Sequence, residues 1–569
     1  MSRTTPSAPA RPRTKQPRRP LHPVVAAVLV AWTLQLGCGA PPTEDSGSIA
    51  EPVTAAMTID SLDGPVTDKE INSFKSYIQT INPVVWPNTG NMQSQYAQAV
   101  SGEQIKALGL MYEISADRAI LDRMIYFCDT LLSQRNDLLA APYGQRTVWT
   151  GSVAPVWPGN SSGIASADSA NGDCVGHIAN CARLILETPA SWNDKVSIGD
   201  PKGYGATYLA RAKTFVKQAD HTVDTFFFTD LLDLSDRNLL KFSAKSPYKP
   251  SNQLPWNQQM MMIYGFYNLA WAHEILGDDA ARVTHYDSIV QANLSRFFQD
   301  GAVRSTYKDK AGNAAYTWGY APSGKSGEDS NHGALDSAGF SRAYASGRYG
   351  ITAAMMQPLA NMFVDVMTVE PGVKYAGTVD GCLTCAGHAA TTSYVRSGYL
   401  LLAEFRASAY ASMMAGAKLT AGGTTGSIDT FSRGMWVKFR RSGAPSPLAT
   451  GGDAGGGPTP PGDAGAPGTG VGEAGAAGSS DAIGAAGSAD SSGGGYSAGD
   501  PGSGGGGASS AGGELAVDPA PVSDGGSDMG AGCGCRLTPR TPPRFALLAL
   551  MAAGLASMAR RRRRLTSRK

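Results

Sequence analysis

Between roughly residues 60 and 420 the apolar residues return with a helical period in segment after segment, and this rhythm restricts the fold more than any other feature. The stretch "ADRAILDRMIYFCDTLLSQRN" sets Ile120, Met124, Phe127 and Leu131 along one face. "TDKEINSFKSYIQTI" opens on Thr67 and Glu70, a capping-box pair in which each side chain satisfies the other's backbone N–H. About ten segments of ordinary helix length follow one another, joined by connections that alternate long and short. Strand patterning is thin, with "RTVWTGSVAPVW" able to supply one or two strands. The expected class is therefore all-α. Helical hairpins over this length form either a toroid or a superhelical solenoid, and a solenoid needs a fixed repeat period. The chain has none, so an (α/α) toroid is expected over residues 50–440.

The ends read differently. Residues 1–38 carry a basic, Pro-rich lead with Arg11, Arg13, Lys15, Arg18 and Arg19, then an apolar core from Val24 to Leu36, then Gly37 and Cys38. That order describes an export signal, and Cys38 is either lipidated at a new N-terminus or lies near a simple cleavage point. From residue 442 to 530 the chain is Gly, Ala, Ser, Pro and Asp, as in "GGGYSAGDPGSGGGGASSAGGE", and cannot bury enough surface to offset its ordering entropy. It is expected to be a disordered tether. Residues 531–569 hold Cys533 and Cys535, an apolar stretch from Phe545 to Met558, and Arg560 to Arg564. The stretch is short for a span of roughly 20 residues, and the arginines beyond it would hold the end on the cytoplasmic side.

This C-terminal order of parts resembles the tripartite sorting signal of myxobacterial surface proteins. The resemblance implies partners in the envelope sorting and export machinery, a membrane helix, and attachment at the cell surface. The two ends are basic and hold no acidic residue, so the overall charge of +2 hides a folded part that is net acidic. No basic stripe interleaved with aromatics is present, which argues against a nucleic-acid partner.

Cysteine usage in residues 50–440 is sparse. Cys382 and Cys385 form a C-x-x-C in a Gly/Thr/Ala loop, where a small-loop disulfide is expected of an exported protein. A zinc site would want a second pair of ligands, and only His388 is near, so neither metal nor other cofactor is expected. Cys174 and Cys181 sit two turns apart on one helix, about 10 Å at 1.5 Å per residue, beyond disulfide reach.

The loops carry the chemistry. Trp149, Trp157, Trp256 and Trp318 all stand beside Pro, Gly and polar residues, a placement that suits aromatic faces stacking on sugar rings. With Asn257 and Arg342 they are the expected substrate-binding set. The run "GEDSNHGALD" puts Glu328, Asp329, Asn331 and His332 at the mouth of a helix, where one capping residue would do. His177, with Asn171 and Asp173 a turn or so away, is a further candidate, either core or catalytic.

In helix rhythm and loop chemistry, residues 60–420 resemble the (α/α)-toroid carbohydrate-active proteins, which include glycoside hydrolases and the alginate and glucuronan lyases. Asn331-His332 is the sharpest local point, since uronate lyases of this group carry an Asn-His pair in the site; Ser330 departs from their fuller Asn-Asn-His form. The resemblance implies β-elimination from a uronate-containing polysaccharide. Removing the C5 proton needs donors around the neighbouring carboxylate, a part for Asn, His or Arg, while a His or Tyr takes the proton and a Tyr returns one to the leaving oxygen. His332, Asn331 and Tyr320 suit those parts, with Glu328 or Asp329 orienting them. The alternative is an inverting hydrolase with Glu328 or Asp329 as acid and Asp173 or Asp336 activating water. A non-catalytic glycan-binding surface protein is the third reading.

Overall fold

A computed structural model describes residues 56–448, apart from 86–87, 90–91, 141–143, 160–164, 236–238, 384–390 and 393. The export signal with Cys38, the Gly-rich tether beyond Leu448, the sorting signal at 531–569, Cys385 and His388 lie outside the described residues.

The described chain is mostly helical, as the periodicity requires. Its α-helices are α1 (Asp68–Gln79), α2 (Gln93–Gln95), α3 (Ser101–Ser115), α4 (Arg118–Ser133), α5 (Ala170–Leu186), α6 (Tyr208–Thr222) and α7 (Trp256–Leu276). They continue with α8 (Ala280–Ser295), α9 (Ser330–Ala345), α10 (Ala353–Asn361), α11 (Ser397–Leu400), α12 (Tyr410–Gly416) and α13 (Ile428–Ser442). At α1 the Thr67 hydroxyl accepts from the Glu70 N–H while the Glu70 carboxylate accepts from the Thr67 N–H, the capping box read from the sequence. Strands are few and antiparallel, the longest pair being the hairpin Arg304–Lys308 with Ala314–Trp318. The expected strands in "RTVWTGSVAPVW" reduce to a single bridge, Val148 to Ala165, because that segment lies over the core as irregular loop.

Packing follows a regular order. α3 packs on α5, α5 on α7, α7 on α9, α9 on α11, α11 on α13, and α13 on α3 again. Against these lie α4 on α3 and α5, α6 on α5, and α8 on α7. The tightest seam is α5 on α7, and glycine makes it possible. A Cβ on Gly176 would stand 2.1 Å from the Tyr264 ring, and one on Gly172 would stand 2.8 Å from the Met261 backbone. Hence the glycines of "NGDCVGH" draw the two helices together and bring Asp173 and Tyr264 to one cavity. Short turns close the hairpins: Gly277, left-handed at φ 63°, ends α7 just before α8.

Three of the four tryptophans expected to face sugars are instead core. Trp157, Trp256 and Trp318 are fully buried; Trp256 opens α7 and Trp318 ends a strand. Their N–H groups explain how two of them are held: Trp157 donates to the Leu131 carbonyl at 2.8 Å and Trp318 to the Asp336 carboxylate at 2.8 Å. Such large rings bury more apolar area than any other side chain, and Pro/Gly neighbours in sequence do not prevent that. Trp149 is partly buried, edge-on to Phe226 at 5.8 Å, with its N–H on the Ala167 carbonyl. Cys128, Cys174 and Cys181 are buried free thiols, and Cys382 is disulfide-bonded.

Candidate active site at the head of helix α9

The run Glu328–His332 is fixed by backbone before any side chain acts. Glu328 N–H donates to the Trp318 carbonyl at 3.0 Å, Val379 N–H to the Glu328 carbonyl at 2.9 Å, and Ser330 N–H to the Gly377 carbonyl at 2.7 Å. The run is thus held between the 314–318 strand and the segment after Ala376. Asp329 caps α9: its Oδ1 accepts from the N–H groups of Asn331 at 2.8 Å and His332 at 3.0 Å. Its other oxygen, Oδ2, bonds His332 Nδ1. One carboxylate therefore caps the helix with one oxygen and orients the imidazole with the other. Burial pushes the Asp329 carboxyl up, but the His332 hydrogen bond and charge outweigh it and hold the group below the ordinary carboxylate value.

Around His332 stand the remaining groups. The Tyr320 ring lies 4.8 Å from the imidazole, centre to centre. Asn331 Oδ1 accepts from Arg396 Nη1 at 3.0 Å, and that guanidinium lies 5.7 Å from the exposed Tyr394 ring. Behind the helix mouth, Tyr399 is buried with its hydroxyl unpartnered, and Gly333 makes room for it, since a Cβ there would stand 2.7 Å from that oxygen. Burial raises both phenols, Tyr320 to about 12, with the neighbouring carboxylates adding to the effect.

Glu328 does not orient His332. It is wholly buried beside Asp336, also wholly buried. Glu328 Oε2 and Asp336 Oδ1 are buried without a hydrogen-bond partner. Burial, then the second carboxylate, raises Glu328 well above its usual range; burial likewise carries Asp336 up to about 7 against the Trp318 donor. Glu328, Asp329 and His332 place one ligand atom each within 4.8 Å of one another. Asp329 already gives its oxygens to the α9 cap and to His332, so a metal here would compete with those bonds.

His177 is corrected by the fold. It is fully buried at the α5–α7 seam, edge-on to Tyr264 at 5.6 Å, and burial drops its pKa to about 3. A neutral imidazole without access to solvent cannot serve as acid or base on a glycan. Asp173, offered with it, pairs with Lys106 Nζ at 3.1 Å.

The other expected binding residues gather in a cavity of about 90 Å³. Lys106, Asp173, Asn257, Tyr264, Arg342 and Arg433 line it, from α3, α5, α7, α9 and α13 in turn. Asn257, Arg342 and Asp173 were singled out in the sequence; Lys106, Tyr264 and Arg433 were not. Their only trace is a polar residue placed on an otherwise apolar helix face, as Lys106 in "GEQIKALGLMYEI". Arg342 Nη2 bonds Glu113 at 2.7 Å, while its Nη1 is buried without a partner.

Compared with known proteins, the chain matches no family model, no curated protein and no solved structure.

Proposed function

We propose that the described helices form an (α/α) toroid, and that the head of α9 is the active centre of a lyase cleaving a uronate-containing polysaccharide by β-elimination. The toroid reading rests on the packing order that runs from α3 through α5, α7, α9 and α11 to α13 and back to α3. The single observation that carries the lyase reading is the Asp329–His332 bond with Asn331 and Arg396 beside it. Asp329 holds the proton on Nδ1, so Nε2 is the basic nitrogen that takes the C5 proton. Arg396 and the Asn331 amide supply donors for the uronate carboxylate as charge develops on it. Tyr320, against the imidazole, is placed to return a proton to the leaving oxygen.

The hydrolase reading is weaker on the same residues. An inverting pair stands roughly 6.5–9.5 Å apart with water between, whereas Glu328 and Asp336 are both wholly buried, away from a water to activate. In this reading the enzyme is exported and held at the cell surface by residues 531–569, with 442–530 as tether. Deleting 531–569 then releases the protein to the medium; retention on cells points to a lipid at Cys38 instead.

The test is a screen of the purified protein on uronate-rich and neutral polysaccharides, read by far-ultraviolet absorbance of the 4,5-unsaturated uronate. Elimination gives that absorbance and hydrolysis gives none. His332→Ala abolishes it while the fold persists. New reducing ends without absorbance refute the lyase, and binding without turnover marks a glycan-binding protein.

A further inference from the structure

We propose that the cavity beside the α9 cluster is a blind subsite for one carboxylate-bearing sugar, so that the enzyme takes a uronate at a chain end; this rests on the lyase reading above. On α9, Asn331, Leu335, Ala338 and Arg342 fall on one helical stripe, and their span of 11 residues is about 16 Å. Leu335, Ala338 and Arg342 line the cavity, while Asn331 and its neighbour His332 stand at the head of the same stripe. The catalytic cluster and the cavity are therefore successive parts of one wall.

The far end of the stripe is walled by ion pairs. Arg342 is backed by Glu113, which is itself held by Arg183, and both are nearly buried; the Arg342 guanidinium also lies 4.8 Å over the Trp436 ring. A linear polymer cannot thread through such a floor, so only a terminal residue reaches it.

The chemistry of the lining selects an acid sugar. Buried polar atoms left without partners are costly, so their distribution indicates what completes them. Arg342 Nη1 is an unpartnered donor, Asn257 Oδ1 an unpartnered acceptor on a residue 6% exposed, and Tyr264 Oη can take either part. A hexuronate matches all three: its carboxylate accepts from Arg342, and its hydroxyls donate to Asn257 and bond Tyr264. Met260, Met261 and Leu401 complete the wall with apolar surface for the ring face. The cavity volume of about 90 Å³ is several times the roughly 10–15 Å³ that one water needs.

The experiment uses the full-length protein with free glucuronate as probe and glucose as the neutral control, read by isothermal titration, and then the size of the early products from a uronate polymer. Saturable glucuronate binding without glucose binding is expected, with unsaturated monomers or dimers as first products. Arg342→Gln should weaken glucuronate binding about 10–100-fold, the range for a lost hydrogen bond to a charged group. Because Arg342 also holds Glu113, Ala338→Leu serves as a second variant that narrows the cavity without touching charge, and it should weaken binding as well. Equal binding of glucose, unchanged binding in Ala338→Leu, or mid-length first products would overturn the subsite. Turnover of polymer without glucuronate binding sinks the subsite alone, and glucuronate binding without turnover sinks the lyase reading alone.

Discussion

On the proposed lyase reading, Asp329 serves catalysis with one oxygen and the helix cap with the other, so its replacements by Asn and by Ala should part company. Oδ1 caps α9 and Oδ2 orients His332. In Asp329→Asn the cap oxygen remains, and Asn and Asp are about equal as N-caps, so stability should change little. The new amide donates where Oδ2 accepted and drives the imidazole proton onto Nε2, the wrong nitrogen for a base. A tautomer switch of this kind lowers turnover by about 10⁴, and loss of general-base action by about 10²–10⁴. Asp329→Ala loses both oxygens. Removing a cap costs about 0.5–2 kcal/mol. With an unfolding entropy near 2.1 cal/mol/K per residue over roughly 390 residues, about 0.8 kcal/mol/K in all, the melting temperature should fall by about 0.6–2.4 °C. The assay pairs initial rates on the uronate polymer with calorimetric melting of the same samples. If Asp329→Asn keeps its rate within about threefold, the imidazole is not the base. If it melts as low as Asp329→Ala, the division of labour between the two oxygens is wrong.

Lys438 and Glu70 are both fully buried, and Lys438 Nζ meets both carboxylate oxygens at 2.8 Å, tying α13 to α1. Lys438→Met should destabilise by about 3–5 kcal/mol in a denaturant melt, toward the lower end because three backbone N–H groups still reach Glu70, and Glu70→Gln added to it should recover part of the loss. His273 bridges Asp220 at 2.9 Å and Asp278 at 2.7 Å; burial opposes its charge, but the two carboxylates outweigh it and raise its pKa. A folded pKa above the unfolded value near 6.5 gives stability that is full below that value and lost as pH rises through the folded one, so melting temperature should decline from about pH 6 upward. His273→Gln should flatten that decline, and an unchanged slope would show that another group governs it. Trp157→Ala should cost about 3–5 kcal/mol and leave the rate per folded molecule intact, read by melting and activity together; a selective loss of rate would return Trp157 to the substrate.

The sequence alone determined the helices and their caps, because periodicity and the Thr67–Glu70 box are local signals decided within a few residues. It also marked "GEDSNHGALD", since four polar groups at one helix mouth exceed what a cap needs. What it could not decide was depth. Trp318, beside Gly319 and two tyrosines, reads as a loop aromatic, yet its indole lies in the core because Asp336, a residue of α9, offers the one acceptor its N–H takes there. The same packing buries Glu328 and Asp336, a matter of helix and hairpin meeting across the fold. His177, core or catalytic as far as the sequence could say, is core because the close α5–α7 seam, made possible by Gly172 and Gly176, seals it from water. Lys106, Tyr264 and Arg433 belong to three different helices, and only packing brings them to the cavity that Arg342 closes. Periodicity fixes which face of a helix is apolar; which polar groups are drawn inward with it depends on partners far away in the chain, and those exist only once the helices have packed.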